Sequence, residues 1–306
     1  MATIMTVRGP IRAEELGRTL VHEHVLCDFI GAAKTGPHRW NPDEVFDAIL
    51  PNLRAIKERG FDAFVDCTPA YIGRDPALLR RLAEAADLHI LTNTGWYKEP
   101  FLPERAFTMT PDAIADEWTR EYEQGISETG IRPGFIKIAV NPGSLIEVQQ
   151  KIVRAAARTS RRTGLVIACH TGHGIAARET LALLEEEGLP FDRYIFVHAE
   201  SEADRAFHAE VARAGGWVEY DAIGWRPTAF HVELVRWFRD EGLGDRLLLS
   251  QDSGWYFAGE PNGGNIRPYT YLHDDFLPAA VEAGIDGTWL ESVLTENARR
   301  AFMIAG

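Results

Sequence analysis

Short apolar runs alternate with longer amphipathic segments along almost the whole chain. The apolar runs have the length of strands, whereas the segments between them space their apolar residues three and four apart and so predict helices. Parallel βα units have this alternation. The pattern therefore predicts a single-domain TIM (β/α)8 barrel over residues 1–306. Its eight strands lie in TLVHEH, FDAFVDCT, LHILTNT, GFIKIAV, LVIACH, YIFVH, GWVEYDAIG and LLLSQDS.

Five of the predicted strands carry, at or toward their C-terminal ends, side chains that can bind a metal ion. The C-terminal ends of TIM-barrel strands meet at one rim, where such barrels build their active sites. Taken singly, His170 or His198 is also explained as a hydrogen-bonded core histidine, and Asp252 as a helix cap. Taken together, the donors predict a metal site at this rim. The donors are His22, His24, Lys137, His170, His198 and Asp252.

The His22-x-His24 pair is the most specific local motif. Side chains two residues apart on a strand point to the same face, so both imidazoles can reach one ion. Glu23, between them, points to the other face. The alternative is a chance pair of polar core residues, and the donors on the other strands favour the metal site.

Lys137 lies in the middle of the apolar strand FIKIAV. A buried ammonium is costly unless it has a partner. One interpretation is a lysine that extends to the surface or pairs with a carboxylate. The other is a neutral amine, which burial favours and which can react with carbon dioxide to give a carbamate.

The ordered segments VHEH, FIKIAV, CHTGHG, FVHAE and SQDSGW resemble those of the phosphotriesterase family in the amidohydrolase superfamily. That family includes organophosphate hydrolases and phosphotriesterase-like lactonases. The resemblance extends from Arg18 to the C-terminal segment TENARRAF. It implies a cytoplasmic hydrolase with two divalent ions, zinc by default, with manganese or cobalt as alternatives.

The resemblance also implies a role for each donor. His22, His24 and Asp252 would hold the more buried ion, and His170 and His198 the more exposed one. A carboxylated Lys137 and a hydroxide would bridge the two ions, and such a pair generates hydroxide near neutral pH. Asp252 would act as the general base that accepts the proton of the attacking hydroxide.

Departures from the family pattern bear on the substrate. Organophosphate hydrolases place a histidine after the aspartate of the seventh strand, whereas Ala222 follows Asp221 in this chain. Their proton relay also uses an aspartate where this chain has Ser201. Tyr97 stands where lactonases of the family carry a pocket tyrosine. We therefore expect a small-molecule lactone or ester substrate. Phosphotriester hydrolysis, or ligand binding without turnover, is the alternative.

The long segment 253–278 after the eighth strand is predicted to be a specificity loop, because loops of this length usually serve as lids or binding segments. Trp255 and Tyr256 are expected to line an aromatic pocket. Arg226 and Arg267 are candidates for gripping a phosphate or carboxylate on the substrate. Surface ion pairs explain these arginines equally well. The aromatic residues could instead form the interface of a homodimer, an assembly that the resemblance also implies.

The amino-acid composition limits the classes of binding partner. The net charge of −13 argues against nucleic acid and against anionic membrane surfaces. No apolar stretch approaches the roughly 20 residues of a membrane span, and no secretory signal is evident. Cys27, Cys67 and Cys169 are interpreted as reduced core thiols. In CHTGHG, the phosphate-loop spacings are absent, and His173 is interpreted as a loop residue beside the ligands.

Overall fold

Parallel strands and surrounding helices alternate in the computed structural model, which describes residues 2–172 and 174–304. Within those residues the strands are β1 (Thr3–Thr6), β2 (Gly9–Arg12), β3 (Thr19–Cys27), β4 (Ala63–Asp66), β5 (His89–Leu91), β6 (Asn93–Thr94), β7 (Phe135–Ala139), β8 (Ile167–His170), β9 (Tyr194–Val197), β10 (Trp217–Tyr220), β11 (Leu247–Leu249) and β12 (Gly254–Phe257). All ladders from β3 onward are parallel.

The helices follow the strands as βα units require. They are α1 (Pro42–Glu58), α2 (Pro76–Ala86), α3 (Pro111–Gln124), α4 (Glu147–Thr163), α5 (Gly174–Glu186), α6 (Arg205–Arg213), α7 (Thr228–Asp240), α8 (Leu277–Glu282), α9 (Gly287–Ser292) and α10 (Ala298–Phe302). Segments of π-helical geometry, Leu272–Phe276 and Val293–Asn297, precede α8 and α10.

Side-chain caps fix where several helices begin. Asn41, Asp75 and Thr110 each accept a backbone N–H from the first turn of the helix that follows. A proline then occupies the first position of each of these helices, where its missing N–H costs nothing. At the other end of α4, Gly164 adopts the left-handed conformation that stops a helix. The helices are thus bounded by local sequence.

The sheet of the barrel is divided into two hydrogen-bonded arrays, because two of its strands are interrupted. Hydrogen bonding gives one array in the order β12-β3-β4-β5 and another in the order β11-β10-β9-β8-β7-β6. The third barrel strand is split into β5 and β6 at Thr92, and the eighth into β11 and β12 by residues 250–253. Each array therefore ends where one barrel strand is interrupted. The eight predicted strands and the predicted TIM barrel are confirmed.

An apolar plug fills one end of the barrel. Val21, Val65, Ala168 and Ile195 point into the barrel and belong to one buried cluster with Phe302 of the C-terminal helix. The N-terminal hairpin of β1 and β2, which was not predicted, covers this end and pairs with the C-terminal residues. Polar side chains inside the barrel therefore concentrate at the opposite end, where the strands terminate.

The predicted loop 253–278 is partly regular structure. Residues 254–257 form β12, which pairs with β3 so that Gly254 lies opposite His24 and Phe257 opposite Cys27. From Leu272 the chain is helical, so the irregular connection is limited to 258–271. The prediction of one long specificity loop is corrected accordingly. The sequence GWYF is short, but it completes the eighth strand against β3.

Cys27, Cys67 and Cys169 are buried and unpaired. No helix in the described residues has the length and apolarity needed to cross a membrane. The prediction for His173 concerns a position outside the described residues.

Candidate metal centre

All six predicted donors line one small cavity at the C-terminal ends of the strands. Its volume is about 110 Å³. The aromatic rings of Tyr97 and Trp255 form part of its wall. The donors predicted from the strand ends therefore surround a single cavity. The donors in its wall are His22, His24, Lys137, His170, His198 and Asp252.

His22, His24 and Asp252 form what we call the inner donor group. Their ligand atoms lie within 4.8 Å of one another. The Oδ1 atom of Asp252 is 3.2 Å from Nε2 of His24 and 3.8 Å from Nε2 of His22. Asp252 occupies the break in the eighth strand, where its φ of 45° turns the side chain toward β3. Two imidazoles and one carboxylate at this spacing form a chelating set.

His170 and His198 form the outer donor group. His170 is the last residue of β8, and His198 directly follows β9 with a φ of 58°. Nδ1 of His170 is 2.7 Å from Nε2 of His198. A separation this short means that the two rings share a hydrogen bond, which a bound ion would replace. The ring centroids of His22 and His198, 5.1 Å apart, place the two groups side by side.

Lys137 is buried, with 1% of its surface exposed. Among the described residues, its Nζ has no hydrogen-bond partner and no ion pair with a carboxylate. Neither a lysine that extends to the surface nor one paired with a carboxylate matches this position. A buried amine without a partner is costly, and a bound group in the cavity would remove that cost. The amine and the five surrounding donors therefore fit a site for two divalent ions.

Buried carboxylates orient one histidine of each group. Oε1 of Glu219 lies 2.7 Å from Nδ1 of His22, and Oδ1 of Asp221 lies 2.5 Å from Nδ1 of His198. Contacts of this kind leave the other ring nitrogen for the metal. Glu219 was not predicted as a site residue. Its signal in the sequence is its spacing of two from Asp221, which puts both side chains on the inner face of the seventh strand.

Thr68 and Glu23 complete the surroundings of β3. The hydroxyl of Thr68 lies 2.8 Å from Nδ1 of His24, a contact that the sequence did not reveal. Glu23 points away from the cavity, as predicted. Its carboxylate accepts hydrogen bonds from the hydroxyl of Ser250 at 2.8 Å and from the backbone N–H of Ser253 at 2.7 Å. Glu23 therefore ties β3 to the broken eighth strand.

Electrostatics favours the metal-binding forms of His22, His170 and Asp252, whereas at His198 the charge of Asp221 outweighs burial and raises the pKa of the imidazole. Burial lowers the pKa of His22 to about 3. Burial also lowers the pKa of His170 well below its usual value, with the charge of His198 contributing. Burial alone would raise the pKa of Asp252, but its contacts with the neighbouring histidines outweigh burial and lower it. Neutral imidazoles and an ionised carboxylate are the forms that bind metal.

A larger cavity of about 400 Å³ opens beside the donors, and we call it the outer cavity. His170, His198 and Asp252 line both spaces. A molecule in the outer cavity therefore reaches the metal centre from the side of the outer donor group. The other residues of its wall are Lys98, Pro142, Thr171, Gly172, Ser201, Ala222, Trp225 and Trp255.

Tyr97 and Lys98 contact the outer donor group. The hydroxyl of Tyr97 is 3.2 Å from Nδ1 of His170, and Nζ of Lys98 is 2.8 Å from Nε2 of the same ring. Burial raises the pKa of Tyr97, so its hydroxyl stays protonated and can donate. Lys98 was missed by the sequence analysis, because a single lysine after an aromatic residue has no recognisable pattern.

The two predicted aromatic pocket residues lie in different places. Trp255 lines both the donor cavity and the outer cavity. Tyr256 is buried and packs against Gly263, outside both cavities. Both residues belong to β12, where successive side chains point to opposite faces. The prediction that Tyr256 lines the pocket is therefore wrong, because the alternation of side chains along β12 turns Tyr256 away from both cavities.

The two predicted arginines are also placed differently from the expectation. Arg226 lies over the ring of Phe230 and donates to the carbonyl of Glu200 at 3.3 Å, outside the donor and outer cavities. Arg267 stacks on Trp225, with 4.4 Å between its guanidinium carbon and the ring centroid. It lines a neighbouring cavity of about 380 Å³. The structure therefore does not bring Arg226 to the site and brings Arg267 only near it.

Comparison with known proteins gives consistent matches over the whole chain. A sequence model of the phosphotriesterase family matches residues 2–302. The phosphotriesterase homology protein of Mycobacterium tuberculosis is 30% identical, over 99% of this chain and 98% of its own. The aryldialkylphosphatase of Saccharolobus solfataricus is 24% identical, over 96% and 98%. The N-acetyltaurine hydrolase of Xenopus tropicalis is 24% identical, over 97% of both chains.

Proposed function

The chain belongs to the phosphotriesterase family of hydrolases, and we propose that it is a binuclear metal-dependent enzyme that opens a lactone. This proposal is carried by the convergence of all six donors on one cavity, in which the Lys137 amine has no partner among the described residues. Zinc is the expected metal, because imidazole and carboxylate donors suit it, and manganese or cobalt are the alternatives.

Each residue has a defined part in holding the ions. The inner donor group would bind one ion and the outer donor group the other, with a carboxylated Lys137 contributing to both. Two bound divalent ions would supply a hydroxide nucleophile near neutral pH and polarise the carbonyl under attack. Glu219, Asp221 and Thr68 would keep the three imidazoles in their ligand orientation.

Asp252 and Tyr97 are the proposed catalytic residues. Asp252 lines both cavities, so its carboxylate reaches the space that the substrate enters. Its lowered pKa keeps it ionised and able to accept the proton of the nucleophile. It would then return this proton to the ring-opened alkoxide. Tyr97 would donate a hydrogen bond to the substrate from the wall of the donor cavity.

The choice of a lactone over a phosphotriester depends on two positions. Ser201 and Ala222 line the outer cavity, where an organophosphate hydrolase would carry an aspartate and a histidine for its proton relay. A hydroxyl and a methyl group offer no such relay. The names of two relatives, aryldialkylphosphatase and N-acetyltaurine hydrolase, support phosphotriester and amide hydrolysis as competing candidates.

A substrate panel tests the proposal. Zinc-loaded protein would be assayed with a broad set of lactones and with paraoxon-like triesters, and Asp252→Asn would give the background rate. Loss of a charge-stabilising contact is worth about a hundred- to a thousandfold in rate. We therefore expect kcat/KM for the best lactone to exceed that for any triester by at least about a hundredfold. A triester that is equal or better would reverse the order of the two functions, and no turnover would favour a ligand-binding relative.

A further inference from the structure

We propose that Lys98 binds an anionic oxygen group, a carboxylate or a phosphate, on the substrate. The enzyme would then prefer lactones that carry such a group to neutral lactones. The site is the outer cavity, where Lys98 forms part of the wall. The inference rests on the proposed lactone hydrolysis for its substrate class, but the anion site itself can be tested without turnover.

Lys98 is distinguished by its position. Among the described residues in the wall of the outer cavity, it is the sole lysine or arginine. The hydroxyl of Ser201 lines the same space and can add a hydrogen bond to an anion, whereas the hydroxyl of Thr171 already donates to the carbonyl of Cys169 at 2.8 Å. A cation with a neighbouring hydroxyl is a suitable environment for a carboxylate or phosphate.

Lys98 also lacks a counter-ion. Its Nζ lies 5.4 Å from the ring centroid of Tyr97, and it forms no ion pair with a carboxylate among the described residues. The adjacent Glu99 points elsewhere: its Oε2 accepts hydrogen bonds from the side-chain amides of Asn141 and Gln149, at 3.1 and 3.0 Å, and its Oε1 has no partner among the described residues. A partly buried ammonium group without a carboxylate partner among the described residues is unfavourable, so an anion that enters the cavity would supply the missing counter-ion.

The geometry separates the anion site from the metal centre. Lys98 approaches His170 at Nε2, whereas Nδ1 of the same ring faces His198. The imidazole therefore lies between the ammonium group and the other histidine. Lys98 lines the outer cavity but does not belong to the wall of the donor cavity. A substrate with its carbonyl at the donors would extend a substituent past Lys98.

Arg267, the anion-binding candidate from the sequence, is less suited to this role. Its guanidinium is stacked on Trp225 and donates to the carbonyl of Gln251 at 3.3 Å. It also faces a different cavity, which shares Trp225 and Trp255 with the outer cavity. Comparison of Lys98 with Arg267 therefore tells which cavity receives the anion.

The experiment uses matched substrates. A γ-lactone with a ring carboxylate is compared with its carboxamide, and a phosphomethyl lactone with its hydroxymethyl counterpart. We expect wild-type enzyme to prefer one or both anionic members, and the stronger preference identifies the anion. Lys98→Met should lower kcat/KM for that lactone by about tenfold to a hundredfold, mainly through KM, because a charge-assisted hydrogen bond is lost. kcat/KM for the neutral lactones should fall by less, so that the ratio of the anionic to the neutral substrate separates loss of the anion site from any effect passed on through His170. Lys98→Arg should keep the preference.

Two variants serve as controls. Lys57→Met removes a lysine that pairs with Asp62, just before β4 and so at the opposite end of the barrel. It should behave as wild type. Arg267→Met tests the neighbouring cavity. The proposal is overturned if wild-type enzyme has no preference for either anion, if the preference survives Lys98→Met, or if Arg267→Met abolishes it instead.

A binding measurement separates this proposal from the proposed function. Metal-free protein is titrated with cyclopentanecarboxylate, cyclopentanecarboxamide and inorganic phosphate, followed by ligand-detected NMR, and thermal unfolding confirms that Lys98→Met is folded. We expect an anion to bind better than the carboxamide in wild type and not in Lys98→Met. Binding of this kind without any lactone turnover would refute lactone hydrolysis and keep the anion site. Equal binding of all three probes would refute the anion site.

Discussion

The inner and outer donor groups differ in their depth in the barrel. His22 and His24 belong to the interior of the nine-residue strand β3, and His22 is only 1% exposed. His170 is the last residue of β8, and His198 lies one residue beyond β9. A donor inside a strand is surrounded by protein, whereas a donor at the end of a strand meets the outer cavity.

The contacts of the two groups differ in the same way. The inner group is held by buried side chains, Glu219 on His22 and Thr68 on His24. The outer group is approached by Tyr97 and Lys98, which belong to the walls of the two cavities. The inner group is therefore suited to holding an ion firmly. The outer group is suited to presenting an ion to the substrate.

Substitution of Lys137 should produce the largest effect, because the proposed carboxylated lysine would contribute to both groups. Lys137→Ala should reduce the metal content from about two ions per chain to less than one and abolish activity. The loss should exceed the tenfold to hundredfold that removal of a supporting residue costs. Metal analysis after incubation with excess zinc, together with lactone kinetics, measures both effects.

Chemical rescue sharpens the test of Lys137. Short carboxylic acids or bicarbonate should partly restore Lys137→Ala, because they supply the missing carboxylate. Lys137→Arg should not respond, since its guanidinium remains charged and fills the space. Two ions and full activity in Lys137→Ala without additives would show that the lysine does not link the two groups.

Variants of Glu219 and Asp221 should weaken metal binding less than Lys137→Ala does. Each of the two should weaken a different ion. Glu219→Gln should weaken the ion of the inner group by about tenfold to a hundredfold, because His22 loses its carboxylate partner. Asp221→Asn should weaken mainly the outer ion through His198, although Asp221 also lies 3.4 Å from Nδ1 of His22. Stepwise zinc titration against a competing chelator measures the two affinities.

The outcome of this pair decides whether the two groups act separately. Loss of only the tighter or only the weaker ion in Glu219→Gln would support the distinction between inner and outer sites. Equal weakening of both ions in both variants would mean that the donors form one cooperative site. Histidine ring NMR of the metal-free variants would show whether each imidazole has kept its orientation.

The donors could be predicted because their signal is local. A histidine or aspartate at the end of an apolar strand is visible in a few residues of sequence, and the barrel brings the strand ends together. The supports of the donors could not be predicted in this way. Glu219 and His22 are 197 positions apart and meet only when the seventh strand and β3 face each other across the barrel.

The errors have a related physical cause. The sequence around Tyr256 has the pattern of a loop, because its four-residue strand β12 follows an interruption and pairs with β3 at the other end of the chain. That pairing determines which of Trp255 and Tyr256 faces the cavity. Arg226 was chosen for its charge, but its contacts with Glu200 and Phe230 depend on loop geometry. The sequence identifies the type of each side chain, but it does not determine the direction in which Tyr256 or Arg226 points.

Substitution of Thr68 should have the smallest effect on metal binding. It tests whether the hydrogen bond to His24 contributes to the affinity of the inner donor group. Its hydroxyl is buried and lies 2.8 Å from Nδ1 of His24. Thr68→Val keeps the shape but leaves this nitrogen without a partner, at a cost of about 1 kcal/mol.

We expect Thr68→Val to bind the inner ion about tenfold or less more weakly, with the outer ion unchanged. Thr68→Ser, which keeps the hydroxyl, should bind both ions as wild type does. Zinc titration and the free energy of unfolding of the metal-free variants separate an effect on the ligand from an effect on packing. If the serine variant is as weak as the valine variant, the lost methyl contact is responsible. The inner group would then be held by packing at Thr68 instead of by the hydrogen bond to His24.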